Sequence, residues 1–126
     1  MNTVINLTPH AIKFQAEDGT RTVFPPSGEV ARVEQYPGET TTVDFAGVEV
    51  PVQGAPEYGW VEGLPEPKEG VVFIVSGFVL NRAVGRNADV FGPGTGPQDE
   101  AIRFPDGHKL AGLVDAVTRF NAAPAY

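Results

Sequence analysis

The residues able to do chemistry are few and scattered. His10, one of two histidines in the chain, ends the segment "INLTPH" (5–10). Pro9 holds Thr8 extended, so the imidazole sits at a defined chain corner. From there it can donate to a phosphate, stack on a base or serve as a general acid or base. The ordinary alternative is a cap that bonds a backbone carbonyl at the end of a hairpin. His108 follows a β-turn and reads as solvent-facing. The richest polar stretch is "NRAVGRNADVFGPGTGP" (81–97). If a helix continues through its start, Arg82 and Arg86 share one side and can clamp an anion. Asn87 and Asp89 have the groups to read ribose hydroxyls or an amino group, and the glycines beyond let backbone amides approach a ligand closely. The competing reading is a helix cap followed by a surface loop. Ser27 and Arg32 flank the start of a strand, where Arg32 is either a surface charge or a pocket wall of positive potential.

Several chemistries find no support. There are no cysteines, which excludes disulfides and thiolate metal sites. Two histidines so far apart make zinc an unsuitable metal, and no cofactor is expected. "GPGTGP" lacks the Gly-Lys-Ser/Thr ending and following helix of a phosphate-binding loop. Gly-x-Ser-x-Gly, His-Glu-x-x-His and a two-metal carboxylate cluster are all missing. Signals for an enzyme are poor.

Charge narrows the partners. The formal net charge is −7 over 126 residues, which opposes binding of long nucleic acids through phosphates. The distribution is uneven: residues 1–69 hold eleven acids and four bases, whereas residues 70–126 hold five of each. Arginines of the second half can hold a small anion while the rest repels a polyanion. No run reaches the ~18–20 apolar residues of a membrane helix, and no basic-then-apolar leader is visible. The expected setting is cytoplasmic, with no membrane partner.

A chain of this length is expected to form one domain, residues 1–126, with a modest core of its own. Period-two alternation and turn chemistry dominate, and helical periodicity is nearly absent. Residues 10–24 read as a hairpin turning at Asp18-Gly19, residues 28–35 as a third strand, and residues 41–52 as a second hairpin around Ala46-Gly47. Residues 53–70 carry Pro and Gly at short intervals and read as an extended surface loop, with Trp60 pinning it to the core. "GVVFIVSGFVL" (70–80) should begin as a central strand and pass at Gly77 into a short helix ending by Val84. Residues 100–120 read as a last hairpin turning at Pro105-Asp106-Gly107. The expected fold class is mainly β (α+β): a compact small barrel or sandwich of about six to eight short strands with one short helix.

Several pieces of the chain, in order, resemble a group of small phage-encoded proteins to which no reaction is attached. They are "INLTPHAI" (5–12), "PPSGEVARV" (25–33), "GLPEP" (63–67) with Gly70, "FIVSGFV" (73–79), "GRNADVFGPGTGP" (85–97), "AIR" (101–103) and "VTRF" (117–120). The tail "NAAPAY" (121–126) has no counterpart. The polar positions within these pieces are Asn6, Thr8, His10, Ser27, Arg32, Ser76, Arg86 and Asp89. Their scatter implies a shared pocket formed where strand ends of a small barrel converge. By analogy with small phage counter-defence factors, the resemblance implies sequestration, without cleavage, of a nucleotide-derived bacterial immune signal, a cyclic ADP-ribose type or a cyclic dinucleotide. The setting would be the cytoplasm of the infected host, and the binder a homo-oligomer. The ligand-binding set is then Asn6, Thr8, His10, Ser27, Arg32, Arg86, Asn87, Asp89 and Phe91, with Phe91, Trp60 or Tyr58 stacking on the base. Two alternatives stand beside it: a metal-independent phosphodiesterase using His10 as general acid or base, and a virion or protein-binding module.

Overall fold

A computed structural model describes residues 1–126. The chain is mainly β, with twelve short strands and one short helix. In order these are β1 (Thr3–Asn6), β2 (Ile12–Gln15), β3 (Arg21–Phe24), β4 (Arg32–Tyr36), β5 (Thr40–Phe45) and β6 (Val48–Gln53). There follow β7 (Glu57–Glu62), β8 (Val71–Ile74), α1 (Gly77–Leu80), β9 (Val90–Pro93), β10 (Ile102–Arg103), β11 (Val114–Ala116) and β12 (Phe120–Ala122).

The strands make one four-stranded sheet, β1-β8-β9-β12, and four two-stranded ribbons; they do not close into a barrel. β8 is interior, as its β-branched run predicts. It lies parallel to both β1 and β9, while β12 runs antiparallel to β9. Alternation divides the sheet into two faces. Leu7, Phe73, Val75 and Val90 join Ala31, Val79, Leu80, Ala83 and Ala123 in the buried core, against which Ile5, Val33, Val61, Leu64 and Val71 pack. Val4, Val72, Ile74 and Phe91 point the other way and, with Phe24 and Phe120, line an apolar hollow of about 370 Å³. The β2–β3 hairpin flanks that hollow, and Phe14 and Phe24 reach the Phe120 ring with centroids 6.4 and 6.3 Å away.

Local chemistry explains most turns. Gly19 takes φ +89°, and Asp18 Oδ1 accepts from the Thr20 amide at 2.9 Å, closing the first hairpin as expected. Ala46 and Gly47 both adopt positive φ, 52° and 89°, the geometry that suits the twist of a two-residue hairpin turn. Ser76 caps α1 by accepting from the Val79 amide, and the helix yields to turns at Asn81 instead of running to Val84.

Two further expectations need correction. Residues 53–70 are not a continuous loop, because β7 pairs antiparallel with β4; Val61 packs on the core opposite Val33, an alternation masked by flanking Pro and Gly. Trp60 does not pin this segment to the core but is 83% exposed, since it neighbours the inward Val61 and so points outward. Residues 100–120 hold the expected hairpin, β10 antiparallel to β11, with the turn at Pro105–His108 set inside a ten-residue connection.

Candidate functional site

The nine residues expected to share a pocket fall into separate groups. Asn6, Thr8, His10 and Ser27 gather around the C-terminal end of β1. Asn6 is 2% exposed, and its polar atoms are spent internally. Its Nδ2 donates to the carbonyls of His10 at 2.8 Å and Phe24 at 2.9 Å. Its Oδ1 accepts from the Thr8 amide at 2.9 Å and the Thr8 hydroxyl at 2.7 Å. A primary amide with two donors and two lone pairs is thereby satisfied, and it ties β1 to β3. The Ser27 amide donates to the Asn6 carbonyl, and its hydroxyl closes a turn onto Glu29. His10 is exposed, and its imidazole makes no hydrogen bond; the backbone carbonyl does the tying. The cap reading of this side chain therefore finds no contact. Arg32 is exposed at the start of β4, in register with Glu62.

Arg86, Asn87 and Asp89 lie before β9, on the core side of the sheet. Arg86 Nε and Nη2 donate to the two carboxylate oxygens of Asp89 at 3.0 and 2.8 Å, and Nη2 also donates to the Pro65 carbonyl at 2.8 Å. The guanidinium carbon lies 5.9 Å from the Phe73 ring centroid. Asp89 is therefore the partner of Arg86, and Asn87 is exposed without a partner. Phe91 faces the apolar hollow on the opposite side. Phe91 in the hollow and Arg86 over the core residue Phe73 therefore belong to opposite faces of the sheet. The cavity uniting all nine residues does not form within the chain.

A different set does converge. Trp60, Val61, Leu64, Arg82, Ala83, Val84 and Arg86 line a groove of about 400 Å³, within the size range of small-ligand sites. Val61, Leu64 and Ala83 form its apolar floor because their elements pack on the core. The turns after α1 bring Arg82 and Arg86 to the same rim, although no continuous helix joins them. Arg82 forms no ion pair; its guanidinium carbon stacks over Tyr58 at 4.6 Å and approaches Phe78 at 5.8 Å. Tyr58 and Phe78 meet edge-on at 4.8 Å. The groove thus offers one uncompensated guanidinium, a second whose Nη1 is unbonded, and an exposed indole. Its elements are those of anion and planar-ring recognition.

Sequence reading offered Arg82, Arg86, Trp60 and Tyr58 separately, but not the strand β7 that brings the aromatics to the arginines. The signal for that strand was the Tyr58–Trp60 pair of aromatics between short polar steps. No three His, Asp or Glu side chains are grouped so as to hold a metal, and no helix is long and apolar enough to cross a membrane. The chain matches no protein-family model, no curated protein and no solved structure.

Proposed function

We propose that the chain is a non-catalytic binding protein for a small anionic nucleotide, held in the groove between β7 and the turns after α1. One observation carries this reading: Trp60, Arg82 and Arg86 line one cavity. The base stacks on the indole, and the phosphates take the free guanidinium of Arg82 and the open Nη1 of Arg86. No nucleophile or general base lines the groove, so the ligand is retained and released unchanged. Joined to the resemblance to small phage proteins, this binding reads as sequestration of a nucleotide immune signal in the infected host.

Trp60 is the one tryptophan of the chain, so its fluorescence reports on this groove alone. Titration with cyclic ADP-ribose variants and cyclic dinucleotides should quench or shift that emission, with submicromolar affinity (beyond about 8 kcal/mol) for the true ligand. Chromatography after boiling should return the ligand intact. A cleaved product would establish the phosphodiesterase alternative instead, and an emission indifferent to every nucleotide at millimolar concentration would end the proposal.

A further inference from the structure

The groove between β7 and the turns after α1 holds two guanidinium groups but only one net positive charge. Arg82 stands against Tyr58, its guanidinium carbon 4.6 Å from the ring centroid, and forms no ion pair. Arg86 lines the same groove, but its Nε and Nη2 are committed to the two oxygens of Asp89 at 3.0 and 2.8 Å. The Asp89 side chain is 14% exposed, so solvent ions screen its charge weakly. A phosphate that takes the open Nη1 of Arg86 therefore lies one guanidinium's width from a fixed carboxylate. No other base lines the groove, and β7 brings two acids, Glu57 and Glu62, and no base.

Hydrogen-bond donors are not the scarce quantity, because Arg82 offers the whole fork of its guanidinium and Arg86 adds Nη1. Charge is scarce. A phosphodiester carries a single negative charge, whereas a terminal phosphomonoester carries about −1.5 to −2 at pH 7, its second proton leaving near pH 6. We infer that the groove selects phosphates bearing one negative charge each, and that Asp89 sets this limit by withdrawing half of the positive charge. The inference rests on the reading of the groove as a nucleotide site and sharpens it. The ligand is a cyclic nucleotide whose phosphates all lie within diester or anhydride links. Nucleoside mono-, di- and triphosphates, which end in a phosphomonoester, are disfavoured. The surplus charge of Arg82 matches a diester. The second charge of a monoester finds no counter-ion and faces Asp89 across the apolar floor of Val61, Leu64 and Ala83, where Coulomb forces exceed those in water.

Calorimetric titration at about pH 7.5, where the monoester is doubly charged, tests this with two matched pairs. One is 3′,5′-cyclic AMP against 5′-AMP; the other is cyclic di-AMP against the same dinucleotide opened to a 5′-phosphate. The cyclic member of each pair should bind roughly three- to tenfold more tightly. Asp89→Asn should shrink that preference below about twofold, the opened ligands gaining more than the cyclic ones. Asp89→Glu, which keeps the carboxylate, should retain it. Circular dichroism checks both variants, and the wild-type comparison decides the matter if Asp89→Asn does not fold. An opened ligand that binds as well as its cyclic partner overturns the inference and leaves the nucleotide groove standing. So does an Asp89→Asn protein that keeps the wild-type preference, or an Asp89→Glu protein that loses it, since either detaches the preference from the carboxylate charge. No binding by any of the four, with the Trp60 emission also unmoved, overturns the groove as a nucleotide site and the inference with it.

Discussion

Arg86 grips Asp89 through two hydrogen bonds, Nε to Oδ1 at 3.0 Å and Nη2 to Oδ2 at 2.8 Å, with the side chains only 17% and 14% exposed. The pair fixes the turn that leads into β9, and it also neutralises half of the positive charge on the rim of the groove. Structure and binding therefore pull in opposite directions at Asp89. Asp89→Ala strands a half-buried guanidinium and should cost about 1–3 kcal/mol in chemical denaturation. Asp89→Asn keeps an acceptor and removes the charge, so nucleotide binding should tighten roughly three- to tenfold. Weaker binding in Asp89→Asn, with the fold intact, would show that Arg86 faces no ligand phosphate.

Arg82 is held differently, by the Tyr58 ring at 4.6 Å instead of a carboxylate. A cation on an aromatic face keeps its full charge for a ligand while losing rotational freedom. Arg82→Ala should weaken nucleotide binding tenfold or more, corresponding to a loss of about 1.4 kcal/mol or greater. Tyr58→Leu should produce a smaller loss, since the charge stays but its position is no longer fixed. Calorimetric titration distinguishes the two. Equal losses would mean that Tyr58 touches the ligand directly.

Asn6 and His10 stand four residues apart and should behave in contrary ways. Asn6 satisfies four polar groups while 2% exposed. Asn6→Ala removes the donors to two carbonyls and the acceptor for Thr8, and should destabilise by about 2–4 kcal/mol, since several buried partners lose their bonds together. His10→Ala should alter stability by no more than about 0.5 kcal/mol, as a surface substitution does, and leave ligand retention unchanged. Loss of nucleotide retention in His10→Ala would restore the imidazole to the site, by way of a second copy.

These contrasts mark what was legible in the chain. Alternation and turn residues were local signals, so the Asp18-Gly19 and Ala46-Gly47 hairpins and the interior strand beginning at Val71 could be read directly. "INLTPH" was legible as a special corner, but the residue type drew attention to the imidazole, whereas the buried amide of Asn6 does the work. Nothing local tells a satisfied Asn from a ligand-facing one; the carbonyl of Phe24 that it bonds is eighteen residues away. Parallel pairing of β1 with β8 was equally hidden, because the partners are separated by more than sixty residues. That pairing decides which residues face the same way. The pairing of β9 with β8 likewise leaves Phe91 on one side of the sheet and Arg86 on the other, so a list of site positions drawn from the sequence merges two surfaces into one.

The carboxyls of Glu34 and Glu62 interact across β4 and β7 beside the bulge at Val33/Gln35. Hydrogen bonding to Glu34 raises the pKa of Glu62 above the ordinary glutamate value. Glu34 is lowered, first by the hydroxyl of Tyr36, which donates at 2.8 Å, and then by Glu62. The raised group adds stability that is complete below the unfolded pKa, about 4.3, and is lost as pH rises through its folded value. Asp99 and Asp115 work the other way: Arg119 and Arg21 lower them, so their contribution exists above the unfolded value near 3.9 and disappears as pH falls through the folded one. Tm should therefore fall in acid below about pH 4 from the aspartates, and decline separately as pH rises through the raised folded value of Glu62. In Glu62→Gln the amide donates to Glu34 at every pH, so the second decline should vanish while the acid limb remains. Tm profiles of the two proteins should converge near pH 3.5 and diverge toward pH 7, with the variant the more stable. Profiles that run parallel over that range would mean the two carboxyls titrate without sharing a proton.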